Sequence, residues 1–86
     1  MHEGRSVLLV DDDALVREAI REIIEEELAG WQVLEAANGS EGLTVALSHR
    51  PDVIVLDYHM PLMNGYQMAL ALKAQEATRT IPLVLC

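Results

Sequence analysis

Apolar positions in this chain follow two rhythms. Val7-Leu8-Leu9-Val10 and Val53-Ile54-Val55-Leu56 are short continuous runs rich in branched side chains, the pattern of strands covered on both faces. They predict a first strand near Ser6 to Val10 and a later one at Val53 to Leu56, beyond Pro51. Between them the spacing becomes helical. From about Ala14 to Leu28, Val16, Ala19, Ile20, Ile23 and Ile24 fall on one face, and Arg17, Glu18, Arg21, Glu22 and Glu25 on the other. Asp12 or Asp13 is placed to cap this helix and Gly30 to end it. Trp31 to Ala36 reads as a strand, and its polar Gln32 and Glu35 mark a sheet edge. Asn38-Gly39 is a turn signal. A second helix is expected over Ser40 to Ser48, with Leu43, Val45, Ala46 and Leu47 apolar, and Gly42 weakening it by up to about 1 kcal/mol relative to alanine. A third helix is expected from Gly65 to about Glu76, with Met68, Ala69, Leu70 and Leu72 available for packing, and a fourth strand from Ile81 to Cys86. Strands alternating with helices predict an α/β fold with right-handed crossovers and a parallel sheet.

Composition narrows the class. The chain has 86 residues, 51% of them hydrophobic, enough for one small domain with a core. Trp31, Tyr58 and Tyr66 are its only aromatic residues, so the core is aliphatic. The formal charge of -8 argues against a nucleic-acid-binding surface, which needs a basic patch, and Glu25-Glu26-Glu27 reads as a solvated face. The single cysteine, Cys86, excludes an internal disulfide framework. With no leader-like start and no apolar stretch approaching the ~20 residues of a membrane helix, the expected location is the cytoplasm.

The charge matters most where the strands end. The first run finishes in Asp11-Asp12-Asp13 and the other in Asp57. In open parallel sheets, ligands bind beyond the carboxyl ends of the strands. If these two strands are neighbours, the carboxylates converge, although unit charges about 4 Å apart repel by roughly 4 kcal/mol at an effective dielectric of 20. Such a cluster binds a cation or holds a proton. Hard oxygen donors suit Mg²⁺, which keeps waters and meets phosphate, and Asp57 could then act as a nucleophile toward phosphorus.

Five stretches in order carry a family resemblance. Val7-Leu8-Leu9-Val10-Asp11-Asp12-Asp13-Ala14-Leu15-Val16-Arg17 resembles the opening of a response-regulator receiver domain of two-component signalling. Asn38-Gly39, Arg50-Pro51-Asp52-Val53-Ile54-Val55-Leu56-Asp57 and Met60-Pro61-Leu62-Met63-Asn64-Gly65 resemble the later motifs of that family in order and spacing, and Ile81-Pro82-Leu83-Val84-Leu85 its fourth strand. The resemblance implies a flavodoxin-like doubly wound sheet in order 2-1-3-4-5, the order the family shares with flavodoxin. Asp57 would be the phosphoacceptor, taking its phosphoryl group from the phosphohistidine of a sensor histidine kinase or phosphotransfer protein. Asp12 would bind Mg²⁺ directly and Asp11 through water, and His59 would offer its backbone carbonyl. Met60-Pro61 and Gly65 would shape the loop beside the pocket, and Asp13 would cap the first helix. His2 and His49 read as surface residues.

The resemblance also implies a Ser or Thr after the fourth strand and a Lys at the end of a fifth. Cys86 precedes the first of these positions, and the only lysine, Lys73, lies in the third helix. Residues 1–86 are therefore read as the N-terminal part of a receiver, ending after its fourth strand. Leu83-Val84-Leu85 would then be an exposed apolar edge, and such edges recruit other strands, so self-association or a rearranged fold is expected. Two other readings stand beside the first. A haloacid-dehalogenase-type phosphatase would use Asp11 as nucleophile and Asp13 as acid, although Leu15 stands where that family carries Thr or Val. A receiver-like interaction module would work without phosphorylation.

Overall fold

The apolar runs become the strands of a parallel sheet. The structure, a computed structural model, describes residues 4–60 and 63–86. Its elements are β1 (Ser6–Val10), α1 (Ala14–Glu27), β2 (Gln32–Ala36), α2 (Gly39–His49), β3 (Val53–Leu56), α3 (Gly65–Ala74) and β4 (Leu83–Leu85). The strand order is β2-β1-β3-β4, every pairing is parallel, and β2 lies at an edge as its polar residues predict. The described elements thus include the first four strands of the expected 2-1-3-4-5 order.

Alternation along β1 and β3 separates two layers of unequal depth. On one face Leu8, Val10, Ile54 and Leu56 pack with Ala46 of α2 and Met68 and Leu72 of α3 in a core that also holds Ala36, Met60 and Ile81. On the other, Val7 and Leu9 are buried on the side where α1 crosses β1 and β2. No residue of α1 is fully buried.

The facing of α1 corrects the sequence reading. Ile20 and Ile24 are half-buried as expected, but Val16, Ala19 and Ile23 are exposed, while Arg17 and Arg21, assigned to the outer face, are half-buried. The cause is Glu35 of β2, whose carboxylate draws both guanidinium groups inward, from Arg17 at 3.0 Å and from Arg21 at 3.2 Å. Apolar stems of arginine cover sheet surface as leucine would. Leu70 of α3 and Leu47 of α2 also lie exposed rather than packed, since the core takes one narrow stripe from each helix.

Both Asn-Gly pairs start helices. Asn38, expected in a turn, is the N-cap of α2, and its side chain accepts from the Glu41 amide at 2.8 Å. Asn64 caps α3 in a reciprocal box with Gln67, both bonds being 2.9 Å. The helix α3 stops at Ala74, short of the expected Glu76. Beyond it, the buried Thr78 donates its hydroxyl at 2.7 Å to the Leu72 carbonyl, which also accepts from the Gln75 amide at 3.2 Å, so this acceptor at the helix end is doubly held. Gly30 takes φ +95° in the turn after α1, two residues beyond the cap at Leu28.

Gly42 weakens α2 in isolation, and the packing shows what it permits. A Cβ at Gly42 would stand 2.8 Å from the Met68 methyl and 2.9 Å from a Val10 methyl, so this glycine sets the approach of α2 to β1 and α3. Gly42→Ala is expected to lower stability by a net of about 1 kcal/mol, overpacking outweighing the gain in helix propensity. The urea midpoint checks this; a higher midpoint for the variant would show that Met68 yields and that Gly42 does not set the spacing.

Candidate functional site

Register brings the acidic residues together. Val10 of β1 pairs with Leu56 of β3, so the next residues, Asp11 and Asp57, leave adjacent strands at the same edge. The Asp57 amide donates to the Val10 carbonyl at 2.9 Å, and the Asp11 amide donates to the Ala36 carbonyl of β2 at 3.1 Å. Carboxylate oxygens of Asp11, Asp12 and Asp57 all lie within 4.8 Å of one another, with Asp11 and Asp57 half-buried and Asp12 exposed. Burial pushes the Asp11 carboxyl above the ordinary carboxylate range; the Asp13 amide opposes this, and the charges of Asp57, Asp12 and Asp13 add to it. This donor set fits a hard divalent cation such as Mg²⁺: the ligand atoms are oxygens and the site is acidic and open to water.

Backbone groups hold these side chains in place. The Asp13 amide donates to Asp11 Oδ1 at 2.9 Å, and the His59 amide donates to Asp57 Oδ1 at 3.2 Å. The Asp13 carboxylate is committed elsewhere, accepting from the Leu15 and Val16 amides at 3.0 and 3.4 Å as the N-cap of α1. It therefore faces its own helix, which weighs against the Asp11/Asp13 nucleophile-and-acid pair. The His59 amide, not its ring, touches Asp57; the ring stands edge-on to Tyr58 with centroids 5.0 Å apart.

Gly65 anchors the loop after Asp57. Its amide donates to the Tyr58 carbonyl at 3.0 Å, while the Tyr58 amide donates to the Cys86 carbonyl at 3.1 Å. A Cβ at Gly65 would stand 2.7 Å from the Asp57 carbonyl oxygen and 2.9 Å from the Tyr58 Cα. Both neighbours are backbone and cannot swing aside, so only glycine lets α3 begin this close to Asp57. The loop-shaping role expected of Pro61 falls outside the described residues, as does His2. His49 is exposed at the end of α2, and Lys73 donates to the Arg79 carbonyl at 2.8 Å beyond α3.

Sequence reasoning passed over Arg17 and Glu35. Arg17 donates to the Asp11 carbonyl at 2.6 Å and to Glu35 at 3.0 Å. The available signal is a pair of arginines four apart and one acid, Glu35, in the strand that follows; with Gln32 beside it, that acid reads as edge polarity.

Comparison with known proteins agrees with this fold. Residues 7–86 match the family model described as "Response regulator receiver domain", and the chain belongs to that family. It is similar to the phosphate regulon transcriptional regulatory protein PhoB of Pseudomonas aeruginosa, 38% identical over 82 residues that cover 95% of this chain and 35% of that protein. It is also similar to the polar-differentiation response regulator DivK of Brucella anthropi, 34% identical over 93% of this chain and 63% of DivK. The chain thus spans about a third of the first relative and under two thirds of the second. Among solved structures, the N-terminal domain of a response regulator receiver protein from Methanoculleus marisnigri superposes with a TM-score of 0.89 at 28% identity, covering 96% of this chain and 66% of that one. The chemotaxis response regulator CheY4 of Vibrio cholerae does so with a TM-score of 0.88 at 32% identity, covering 96% and 68%. The protein is a signalling receiver of two-component response regulators with the flavodoxin-like fold.

Protonation and close packing at the site can each be tested. Because folding raises the Asp11 pKa, the folded chain binds a proton there more readily than the unfolded chain. Stability from this group is full below the unfolded carboxylate pKa of about 3.9 and is lost as pH rises through the raised folded value. Asp11→Asn is therefore expected to stabilise the cation-free protein at pH 7, with the gain vanishing toward acid. Thermal melts in chelator at several pH values check this; a variant no more stable than wild type at pH 7 would refute it. Gly65→Ala is expected to cost about 1–3 kcal/mol through overpacking against backbone, measured by urea unfolding, and an unchanged midpoint would count against the close approach.

Proposed function

We propose that Asp57 accepts a phosphoryl group from the phosphohistidine of a sensor histidine kinase or phosphotransfer protein, and that this changes the protein's contacts with its partners. The observation that carries this reading is the convergence of Asp11, Asp12 and Asp57 within 4.8 Å at the ends of two adjacent strands. Membership of the receiver family supports it. Asp11, Asp12, Asp57 and the His59 backbone carbonyl would hold Mg²⁺, Asp12 directly and Asp11 through water. Bound there, the ion supplies charge that offsets the carboxylates and attracts phosphoryl oxygens.

The chain's own groups would do the rest. Asp57 Oδ1 is held by the His59 amide, while Oδ2 accepts no hydrogen bond from the described residues and is the oxygen offered to phosphorus. As the O–P bond forms, the P–N bond of the partner breaks and its electron pair stays on the imidazole. The product is an acyl phosphate on Asp57, which water later cleaves. The domain acts only on itself, by self-phosphorylation from a phosphodonor and autodephosphorylation, and it works in the cytoplasm, in keeping with a free thiol at Cys86.

One measurement tests this. Intact-mass analysis after incubation with Mg²⁺ and phosphoramidate is expected to show one phosphoryl adduct on wild type and none on Asp57→Asn, with peptide mapping placing it on Asp57. An adduct on Asp11 would instead favour the phosphatase-type reading.

A further inference from the structure

Arg17 links the acidic pocket to the edge strand without joining the pocket. Its NH1 donates to the Asp11 backbone carbonyl at 2.6 Å, and its Nε donates to Glu35 Oε1 at 3.0 Å. The other Glu35 oxygen accepts from Arg21 at 3.2 Å. The Arg17 and Glu35 side chains are only 17% and 30% exposed, so the pair is well shielded from water. With this contact every polar group of Asp11 is held: its amide by Ala36 at 3.1 Å, its carboxylate by the Asp13 amide at 2.9 Å, and its carbonyl by Arg17.

The choice of partner is informative. A guanidinium beside three carboxylates would ordinarily form a bidentate ion pair with one of them and so compete with a metal cation. Among the described residues the ion pairs of Arg17 and Arg21 go to Glu35, which offsets one of the two positive charges, and the contact toward the pocket goes to a neutral carbonyl. The arrangement fixes Asp11 while leaving its carboxylate, Asp12 and Asp57 free for a cation.

We propose that Arg17, anchored by Glu35, is a positioning residue that fixes the Asp11 backbone and thereby sets the divalent-cation affinity of the pocket. This rests on the cation-binding reading of Asp11, Asp12 and Asp57. Electrostatics and positioning predict opposite signs here. Arg17→Gln removes a nearby positive charge, which by Coulomb's law alone tightens binding of a second cation. If Arg17 acts by holding Asp11, affinity falls, on the order of tenfold as for other groups that orient metal ligands.

The test is a Mg²⁺ titration by calorimetry of the wild type, Arg17→Gln, Arg17→Lys, Glu35→Gln and the Arg17→Gln/Glu35→Gln double variant, each below its melting temperature. Weaker binding by Arg17→Gln is expected. Arg17→Lys is expected to fall as well, because lysine keeps the charge but not the fork that reaches both partners. The double variant is expected to lose no more than Arg17→Gln alone, since the two residues act as one unit. Should Arg17→Gln fail to fold, Arg17→Lys and Glu35→Gln carry the same test. Affinity equal to or above wild type in the folded Arg17 variants overturns the inference while the metal reading stands. A wild type that binds no Mg²⁺, or binds it equally after Asp12→Asn, overturns the metal reading and the inference with it.

Discussion

Parallel pairing of β1 with β3 forces two chain segments to leave the sheet at one edge, and both leave it in carboxylate. Three negative groups within 4.8 Å oppose folding, and their charges add to burial, the larger cause, in raising the Asp11 pKa. Much of the molecule is arranged around this repulsion. Beneath the pocket the same strands contribute Leu8, Val10, Ile54 and Leu56 to the core. At the edge, amides of Asp13 and His59 supply partial positive charge, and Asp13 turns its own carboxylate onto the start of α1. No cationic side chain forms an ion pair with a pocket carboxylate among the described residues, so the site keeps its appetite for a cation.

The strands were legible as uninterrupted apolar runs: Val53 to Leu56, too short for a helix and bounded by Pro51 and Asp57, fits a strand, and its Ile54 and Leu56 are buried. The pocket was legible for a related reason. An acid directly after such a run can only emerge at a strand end, and parallel order puts like ends together. The cap at Asp13 was legible too, since a short acid before a helical pattern has an obvious donor to meet.

Facing and spacing were harder to read. Periodicity assigned α1 by counting apolar positions and turned Arg17 and Arg21 outward. Their partner, Glu35, lies on another element, and pairing at such a distance leaves no trace in a helical window. Asp52 was passed over likewise: its carboxylate accepts from the Ser6 amide at 2.7 Å, tying the approach to β3 to the start of β1. The glycines show the same limit. Gly42 and Gly65 look like weak points locally, yet each marks a contact in which a neighbour stands where a side chain would be.

The shallow seating of α1 has a kinetic meaning. A helix that buries no residue completely and docks through two isoleucines and an arginine pair has a lower opening free energy than α2 and α3, whose Ala46, Met68 and Leu72 are sealed in the core. It therefore belongs to the part of the molecule that detaches and reseats without global unfolding. The Asp11 loop runs directly into it. Any ligand that prefers the seated helix slows that breathing by its differential affinity for the two states, so occupancy of the pocket and amide exchange along α1 are reciprocally coupled.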